Sequence, residues 1–173
     1  PDITDDVYLS VFEQHDIIMH IPYDITNSII EKTKSSAVLE QVYEKILERL
    51  RSNAQFTHLQ SDLVLQLNNI MRNPHASPEL RASCGKFVDN ISSAKNSKNL
   101  SKLISLADSD EMIVKITLAS NKNTPAAALL KLAATTAENP PGMSWLDTPA
   151  GCDLIKQISL NKNATREVYE KMF

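Results

Sequence analysis

The sequence predicts an all-α protein, organised as an irregular α-solenoid of stacked helix pairs with about four degenerate repeats. Three observations support this fold class. Only 3 of the 173 residues are glycine, which is too few for the tight turns that a sheet needs. Apolar residues recur at helical spacing through most of the chain. A short segment rich in asparagine also recurs between the helical runs, as expected for repeated units.

The helical runs can be placed in order along the chain. Apolar runs at 7–19, 62–71, 112–119 and 154–160 each predict a helix that precedes a polar segment. Between them, further stripes at helical spacing predict helices whose apolar side faces the core. The members of these stripes are Val38, Leu39, Val42, Tyr43, Ile46, Leu47 and Leu50, then Phe56, Leu59, Leu63, Leu67 and Ile70, then Leu100, Leu103, Ile104 and Ala107.

Polar stretches between the stripes predict where helices end. Asp108–Asp110 is expected to cap a helix from Glu111 to Ser120, and residues 92–99 read as a polar connector. We treat residues 1–173 as one α-helical repeat domain, with a divergent N-terminal cap at 1–60 and repeats at 61–173.

Four polar segments align with one another and predict the turns inside the repeats. They lie at 22–31, 73–80, 121–129 and 161–168, and we call each of them an elbow. Asparagine suits such turns because its side chain bonds nearby backbone and tolerates left-handed conformations. A Ser or Thr in each elbow is expected to cap the following helix, with proline at the first helical position in two cases. These residues are Thr26, Ser77–Pro78, Thr124–Pro125 and Thr165.

The stretch from Leu100 to Pro125 resembles the leucine-rich repeat variant family, a relative in architecture of HEAT and armadillo solenoids. It shows that family's order of a leucine helix, an Asp-containing turn, a second helix with a basic position, and an Asn-Lys-Asn-Thr-Pro elbow. The elbows at 73–80 and 161–168 match only in the elbow itself. Lys115 stands where arginine is usual. The resemblance implies an α-solenoid and no catalytic residues.

No catalytic, metal or cofactor site is expected. The four histidines (His15, His20, His58 and His75) lack the helical spacing to His or Glu that is typical of zinc enzymes. Glycine is too scarce for a phosphate-binding loop. Cys84 and Cys152 lie 68 positions apart and are expected to be reduced, which favours a cytoplasmic location. No apolar run approaches the roughly 20 residues that cross a bilayer.

The charge is unevenly distributed along the chain, which has a net charge of −3. Residues 1–51 carry ten acidic against five basic residues, whereas residues 72–102 carry six basic against two acidic ones. The basic stretch either forms solvated helix faces or binds an acidic partner or a nucleic-acid backbone. The candidate contact residues are Arg81, Lys86, Lys95, Lys98 and Lys102.

An insertion at 138–151 interrupts the helical pattern. It holds three of the eight prolines, two of the three glycines and the only tryptophan. Met143, Trp145 and Leu146 are therefore candidate partner contacts, because loops on solenoids often carry binding. Alternatively, Trp145 covers the groove between two helices of its own chain.

These features favour a non-enzymatic interaction module that binds a protein or peptide through the solenoid surface. The alternative is a HEAT-like domain that binds a nucleic-acid backbone through residues 72–102. The stripe of Val168, Tyr169, Met172 and Phe173 requires a neighbouring helix. It can pack on its own repeat, self-associate, or contact further repeats of a longer protein, and the last of these is the expectation.

Overall fold

The computed structural model describes residues 7, 10, 23–52, 56–137 and 148–172. Within these residues the chain forms nine helices and no strand, which confirms the all-α prediction. In chain order the helices are α1 (Tyr23–Lys32), α2 (Ser36–Ser52), α3 (Phe56–Arg72), α4 (Pro78–Asn96), α5 (Leu100–Leu106), α6 (Met112–Ser120), α7 (Ala126–Ala137), α8 (Pro149–Leu160) and α9 (Arg166–Met172).

The chain divides into two compact units, and the boundary falls within α4. Unit 1 contains the described residues up to Val88, and unit 2 contains those from Asp89 onward. In unit 1, α1 packs against α3 and α2, and α2 also packs against α3. The predicted stripe on α2 is confirmed, because all its members except Tyr43 are buried. Leu67 and Ile70 of α3 are completely buried, whereas the side chains of Phe56 and Leu59 lie outside the described part.

In unit 2, the helices from α5 to α9 pack against one another. Helix α6 packs against α8, and α7 packs against both α8 and α9. Helix α5 packs against α6 and α7. The predicted core positions Leu103 and Ile116 are buried. Leu100 was expected to be buried too, but it lies at the start of α5 and is 56% exposed.

Three of the elbows share one hydrogen-bonding arrangement, which centres on their first residue. We call Asn73, Asn121 and Asn161 the elbow asparagines. Each is buried, and its side-chain Oδ1 accepts the backbone N–H of the residue two positions later, at 2.8, 2.9 and 3.0 Å. The backbone carbonyl of each also accepts the N–H three positions later. The side chain therefore closes the turn from within, as an Asx turn does.

The amide group of each elbow asparagine points away from its own turn, toward the C-terminal end of an earlier helix. Asn73 Nδ2 donates to the carbonyls of Ile30 and Thr33, at 2.6 and 3.2 Å. Asn121 Nδ2 donates to those of Ala94 and Ser97 at 2.9 and 3.0 Å, and Asn161 Nδ2 to those of Ala119 and Asn121 at 2.7 and 3.0 Å. The last carbonyls of a helix have no partner within it, so these bonds satisfy buried acceptors.

The predicted elbow at 22–31 is wrong, because Tyr23–Glu31 belong to helix α1. Thr26 accordingly lies inside that helix and is not its cap. Pro22 lies outside the described residues, as does most of the apolar run at 7–19.

The predicted caps of the other elbows are partly confirmed. The Ser77 hydroxyl accepts the N–H of Leu80 at 3.1 Å, and Pro78 begins α4, as predicted. Thr124 has another role, because its hydroxyl donates to the carbonyl of Leu118 in the preceding helix at 2.6 Å. Helix α7 begins at Ala126, so Pro125 precedes its first residue.

Three predicted helix boundaries also change. Helix α4 continues to Asn96, which leaves only residues 97–99 of the polar connector 92–99. Asp108–Asp110 does not cap α6: the N-cap position is Glu111, and Asp108 instead accepts a bond from Lys131 at 2.6 Å. Helix α8 begins at Pro149, within the predicted insertion, and the Thr148 hydroxyl accepts the N–H of Gly151 at 3.1 Å.

Helix α9 carries the C-terminal apolar stripe. Val168 and Met172 are buried, and α9 packs against α7 of the same chain. Tyr169 is 39% exposed, and its hydroxyl donates to the carbonyl of Ser159 at 2.9 Å. Packing within the chain was one of the three expected arrangements. Phe173 lies outside the described residues.

Candidate functional site

A groove in unit 1 lies between α2 and the first two turns of α4. We call it the α2–α4 groove. It has a volume of about 870 Å³, within the size range of ligand pockets in proteins. The residues that line it are Ala37, Glu40, Gln41, Tyr43, Glu44, Lys45, Ser77, Glu79, Leu80 and Ser83.

The helical repeat brings these side chains onto facing sides of the groove. Ala37, Gln41 and Glu44 follow at four and three positions on α2, the spacing that places side chains on one helix face. Leu80 and Ser83 are three positions apart on α4. The buried apolar residues of α2 occupy the opposite side of that helix, in the core. The pattern that buries the core stripe therefore also positions the groove.

The groove is acidic. Its charged groups are the carboxylates of Glu40, Glu44 and Glu79 and the ammonium of Lys45. The Lys45 ammonium donates to Glu48 at 2.7 Å, and Glu48 is not among the lining residues. All three lining glutamates are exposed. Like-charged groups along one concave surface produce a local potential that attracts cations.

Glu40 joins the two sides of the groove. Its Oε1 accepts the hydroxyl of Ser36 at 3.1 Å and that of Ser77, from the start of α4, at 3.4 Å. The Ser77 hydroxyl also caps α4. The Glu40 carboxylate is therefore held in place by short side chains that belong to the fold.

A buried acceptor in the groove has no partner. Gln41 Oε1 is shielded from water and makes no hydrogen bond with any described residue. An unsatisfied buried acceptor costs roughly 1–3 kcal/mol, and such atoms are rare in folded proteins. Two other atoms of this kind, Gln66 Nε2 and Arg81 Nε, belong to residues that do not line the groove.

The predicted basic contacts occupy several separate positions. Arg81 Nη2 donates to the carbonyls of Asn73 and Pro74 at 2.9 and 3.0 Å, so its guanidinium supports the first elbow. Lys86 and Lys95 are exposed on α4, Lys98 lies between α4 and α5, and Lys102 is in the first turn of α5. None of them lines the α2–α4 groove.

Met143, Trp145 and Leu146, the other predicted contacts, lie outside the described residues. His15, His20 and the side chain of His58 do as well. The partner-contact role of the insertion therefore stays a prediction.

Neither of the two cysteines forms a disulfide, and they differ in their surroundings. Cys84 is completely buried and Cys152 is exposed. Burial raises the pKa of the Cys84 thiol to about 11, outweighing a backbone hydrogen bond that lowers it. Since the thiolate is the nucleophile, a thiol with this pKa is unreactive at neutral pH.

The described part of the chain carries neither a metal-binding cluster nor a helix that could span a membrane. No group of three His, Cys, Asp or Glu residues there is arranged to hold a metal ion. None of the described helices has the length and apolarity that are required to cross a membrane.

A second, smaller groove lies in unit 2 between α7 and α9, with a volume of about 520 Å³. It has balanced charge, because two glutamates and two lysines line it. Its lining residues are Leu130, Lys131, Ala134, Glu167, Glu170 and Lys171. Glu170 accepts a bond from Arg166, and Lys131 donates to Asp108, both at 2.6 Å. The other two charged lining residues, Glu167 and Lys171, have opposite signs, so the groove offers no net charge to a ligand.

Sequence reasoning missed the α2–α4 groove. The relevant signal was the excess of acidic residues at 1–51, where Glu40 and Glu44 lie one turn apart on the polar side of a predicted helix. This pattern is also typical of an ordinary solvated face. Only the position of Glu79 and Ser77 beside them, from 33 or more residues later in the chain, distinguishes a groove from a face.

No family model matches the chain, and neither the curated proteins nor the solved structures include a significant match to it.

Proposed function

We propose that this chain is a non-enzymatic interaction module that binds a protein or peptide, and that the α2–α4 groove is its binding site. The observation that carries the proposal is the groove itself, which combines a volume of about 870 Å³ with an unpartnered buried acceptor at Gln41. A binding partner can satisfy that acceptor when the Gln41 side chain turns toward the groove. Because buried polar atoms without a partner are rare in folded proteins, the Gln41 oxygen is a specific reason to assign ligand binding to the α2–α4 groove.

The architecture supports this proposal. We propose that the helices form an irregular α-solenoid of the kind that the resemblance to leucine-rich repeat variants implies. Helix α6 packs on α8, α7 packs on α9, and buried asparagines tie each elbow to the end of an earlier helix. Proteins built from stacked helix pairs commonly use their extended surfaces for binding. The absence of a disulfide between Cys84 and Cys152 favours a reducing compartment, such as the cytoplasm.

A blocking substitution tests the site. Ser83 is exposed and lines the groove, so Ser83→Trp should fill the groove without changing the core. Ala82, the residue before Ser83 on α4, is also exposed but does not line the groove, which makes Ala82→Trp a matched control. Peptides selected from a random library against the native chain should lose at least about tenfold in affinity for the Ser83 variant, as expected when a bulky group fills a contact site.

The same peptides should bind the Ala82 variant as they bind the native chain. Circular dichroism and melting midpoints of both variants check that each is folded. If no peptide is enriched, or if both tryptophan variants bind the selected peptides equally well, the α2–α4 groove is not the binding site and the proposal fails.

A further inference from the structure

The composition of the α2–α4 groove indicates what kind of segment it accepts. Three carboxylates and one buried, unpartnered amide oxygen provide acceptors, and the ammonium of Lys45 already donates to Glu48. A ligand that fits this surface must therefore supply hydrogen-bond donors and positive charge. An acidic or purely apolar segment would leave the carboxylates unpaired and Gln41 Oε1 unsatisfied.

The arrangement favours arginine over lysine. The side chains of Glu40 and Glu44 lie one helical turn apart, and Gln41 lies three positions before Glu44 on the same side of the helix. The guanidinium group has five donors in a rigid planar fork and can bridge two neighbouring acceptors. A lysine ammonium is a point charge that is more strongly hydrated. Once the Gln41 side chain turns toward the groove, one arginine can therefore pair with Glu44 and also donate to Gln41.

The groove also presents apolar surface. Ala37 and half-buried Tyr43 lie on α2, and Leu80 lies on α4. A small inorganic or polyamine cation would leave this surface wet, whereas a peptide can cover it with its own apolar side chains. Tyr43 additionally offers an aromatic ring, which attracts a cation placed over its face.

We propose that the α2–α4 groove binds a basic segment of a partner protein, with an arginine side chain between Gln41 and the glutamates of α2. This inference rests on the proposed function, since it specifies the partner of the same groove. The charge complementarity of the three carboxylates identifies the partner, and the unpartnered oxygen of Gln41 locates the arginine.

Two labelled peptides that differ only in charge test the proposal. One consists of alanine, leucine and arginine; in the other, every arginine is replaced by citrulline, which keeps the planar shape and removes the charge. The full chain should bind the arginine peptide in fluorescence anisotropy, and the affinity should fall as salt is added. The citrulline peptide should bind at least about tenfold more weakly, because it lacks the charge-assisted bonds.

Matched triple variants locate the binding. Combining Glu40→Gln, Glu44→Gln and Glu79→Gln removes the groove's carboxylates and keeps an acceptor oxygen at each position. The control combines Glu31→Gln, Asp89→Asn and Asp110→Asn, which removes the same charge from exposed residues outside the groove. The groove variant should bind the arginine peptide about tenfold more weakly than the control variant does, the size expected when several partly exposed ion pairs are lost.

The single variant Gln41→Leu provides a second measurement, which is independent of net charge. It should weaken the binding of the arginine peptide about threefold or more and leave the binding of the citrulline peptide unchanged. The reason is that it removes one acceptor, which only the charged guanidinium group engages strongly. Because the variant removes an unsatisfied buried atom, the chain should stay folded, and the melting midpoint checks this.

Several results would overturn the inference. These are no binding of the arginine peptide, equal weakening in the two triple variants, or equal binding of the citrulline peptide. Displacement of the peptide by spermine at the same concentration of positive charge would show a diffuse site for polycations, which also contradicts a peptide site. If the library yields groove-dependent peptides without basic residues, this inference fails while the proposed function stands.

Discussion

The segment at 22–31 and the elbow at 73–80 look alike in sequence, yet Tyr23–Glu31 of the first are helical, whereas the second forms a turn before α4 begins at Pro78. Both carry a proline, a Ser or Thr suited to capping, and apolar residues that follow. The elbow begins with Asn73, whereas the aligned position of the other segment is Pro22. Proline has no side-chain amide to donate, so the decisive bonds of an elbow cannot form there.

The comparison shows that the asparagine is the essential residue of the motif. Asn73, Asn121 and Asn161 each make two bonds to the end of an earlier helix and one to their own turn. The proline and the capping hydroxyl vary more in their roles. Ser77 caps its helix, whereas the Thr124 hydroxyl donates backward to Leu118. An elbow is thus better identified by its buried amide than by its cap.

The largest expected effect concerns the apolar residue three positions before each elbow asparagine. Ile70, Leu118 and Ile158 occupy this position, and each is completely buried. Replacing Leu118 or Ile158 with Ala should lower the free energy of unfolding by about 2–5 kcal/mol, the cost of a cavity plus lost burial. Replacing the predicted core residues Leu103 or Ile116 with Ala should lower the free energy of unfolding by a similar amount. Denaturant midpoints measure the loss.

Lys122 provides the control for these core variants. It is exposed in the same elbow as Asn121, and Lys122→Ala should cost under about 0.5 kcal/mol. If this variant loses as much stability as Leu118→Ala, the assignment of inside and outside positions around the elbow is incorrect.

A somewhat smaller effect is expected from the elbow asparagines themselves. Asn121→Ala removes the amide that donates hydrogen bonds to the backbone carbonyls of Ala94 and Ser97, and it leaves both carbonyls without that partner. The cost should be about 2–4 kcal/mol, because buried acceptors that lose a bond are expensive. Asn73→Ala and Asn161→Ala should cost about the same, since they lose the same number of bonds.

Asn123 gives this prediction a matched control two residues away. Its backbone N–H donates a hydrogen bond to Asn121 Oδ1, but its side chain makes no hydrogen bond within the described part of the chain. Asn123→Ala should therefore cost under about 0.5 kcal/mol, as at ordinary partly exposed sites. Equal losses for Asn121 and Asn123 in denaturant titrations would contradict the special role of the elbow asparagines.

The helices could be predicted from the sequence because apolar periodicity is a local signal. The stripe from Val38 to Leu50 predicted both the helix and its buried side. Boundaries were less predictable, because they depend on distant partners: Asp108 was expected to cap α6, yet its carboxylate binds Lys131 of α7. The elbow at 22–31 was wrong because alignment of polar residues does not reveal which amide reaches a helix end 40 or more residues away.

The candidate site could not be predicted for the same reason. Glu40 and Glu44 are visible as acidic residues on one side of a helix, but their proximity to Ser77 and Glu79 depends on tertiary packing. The basic residues, by contrast, were conspicuous in the sequence. Arg81 nevertheless binds two elbow carbonyls, so its charge-assisted bonds support the fold. A cluster of charges in sequence is therefore weaker evidence of a site than one acceptor without a partner.

The smallest expected effect concerns the stretch that separates the first two elbow asparagines. Their spacing is 48 residues, against 40 for the next pair, and Lys95, Lys98 and Lys102 lie within this longer stretch. All three are exposed, and a nucleic-acid backbone would contact them through salt-dependent ion pairs. We expect no such binding, because the chain has a net charge of −3 and Phe87, the aromatic residue of the stretch, is buried and offers no ring for bases to stack on. Replacing the three lysines with Gln should therefore leave the weak retention of the chain on duplex DNA unchanged at any salt concentration. Sub-micromolar affinity for the duplex at physiological salt would contradict this expectation. A salt dependence of duplex affinity that becomes shallower by about three phosphate contacts in the variant would contradict it as well. Either result would favour the nucleic-acid alternative.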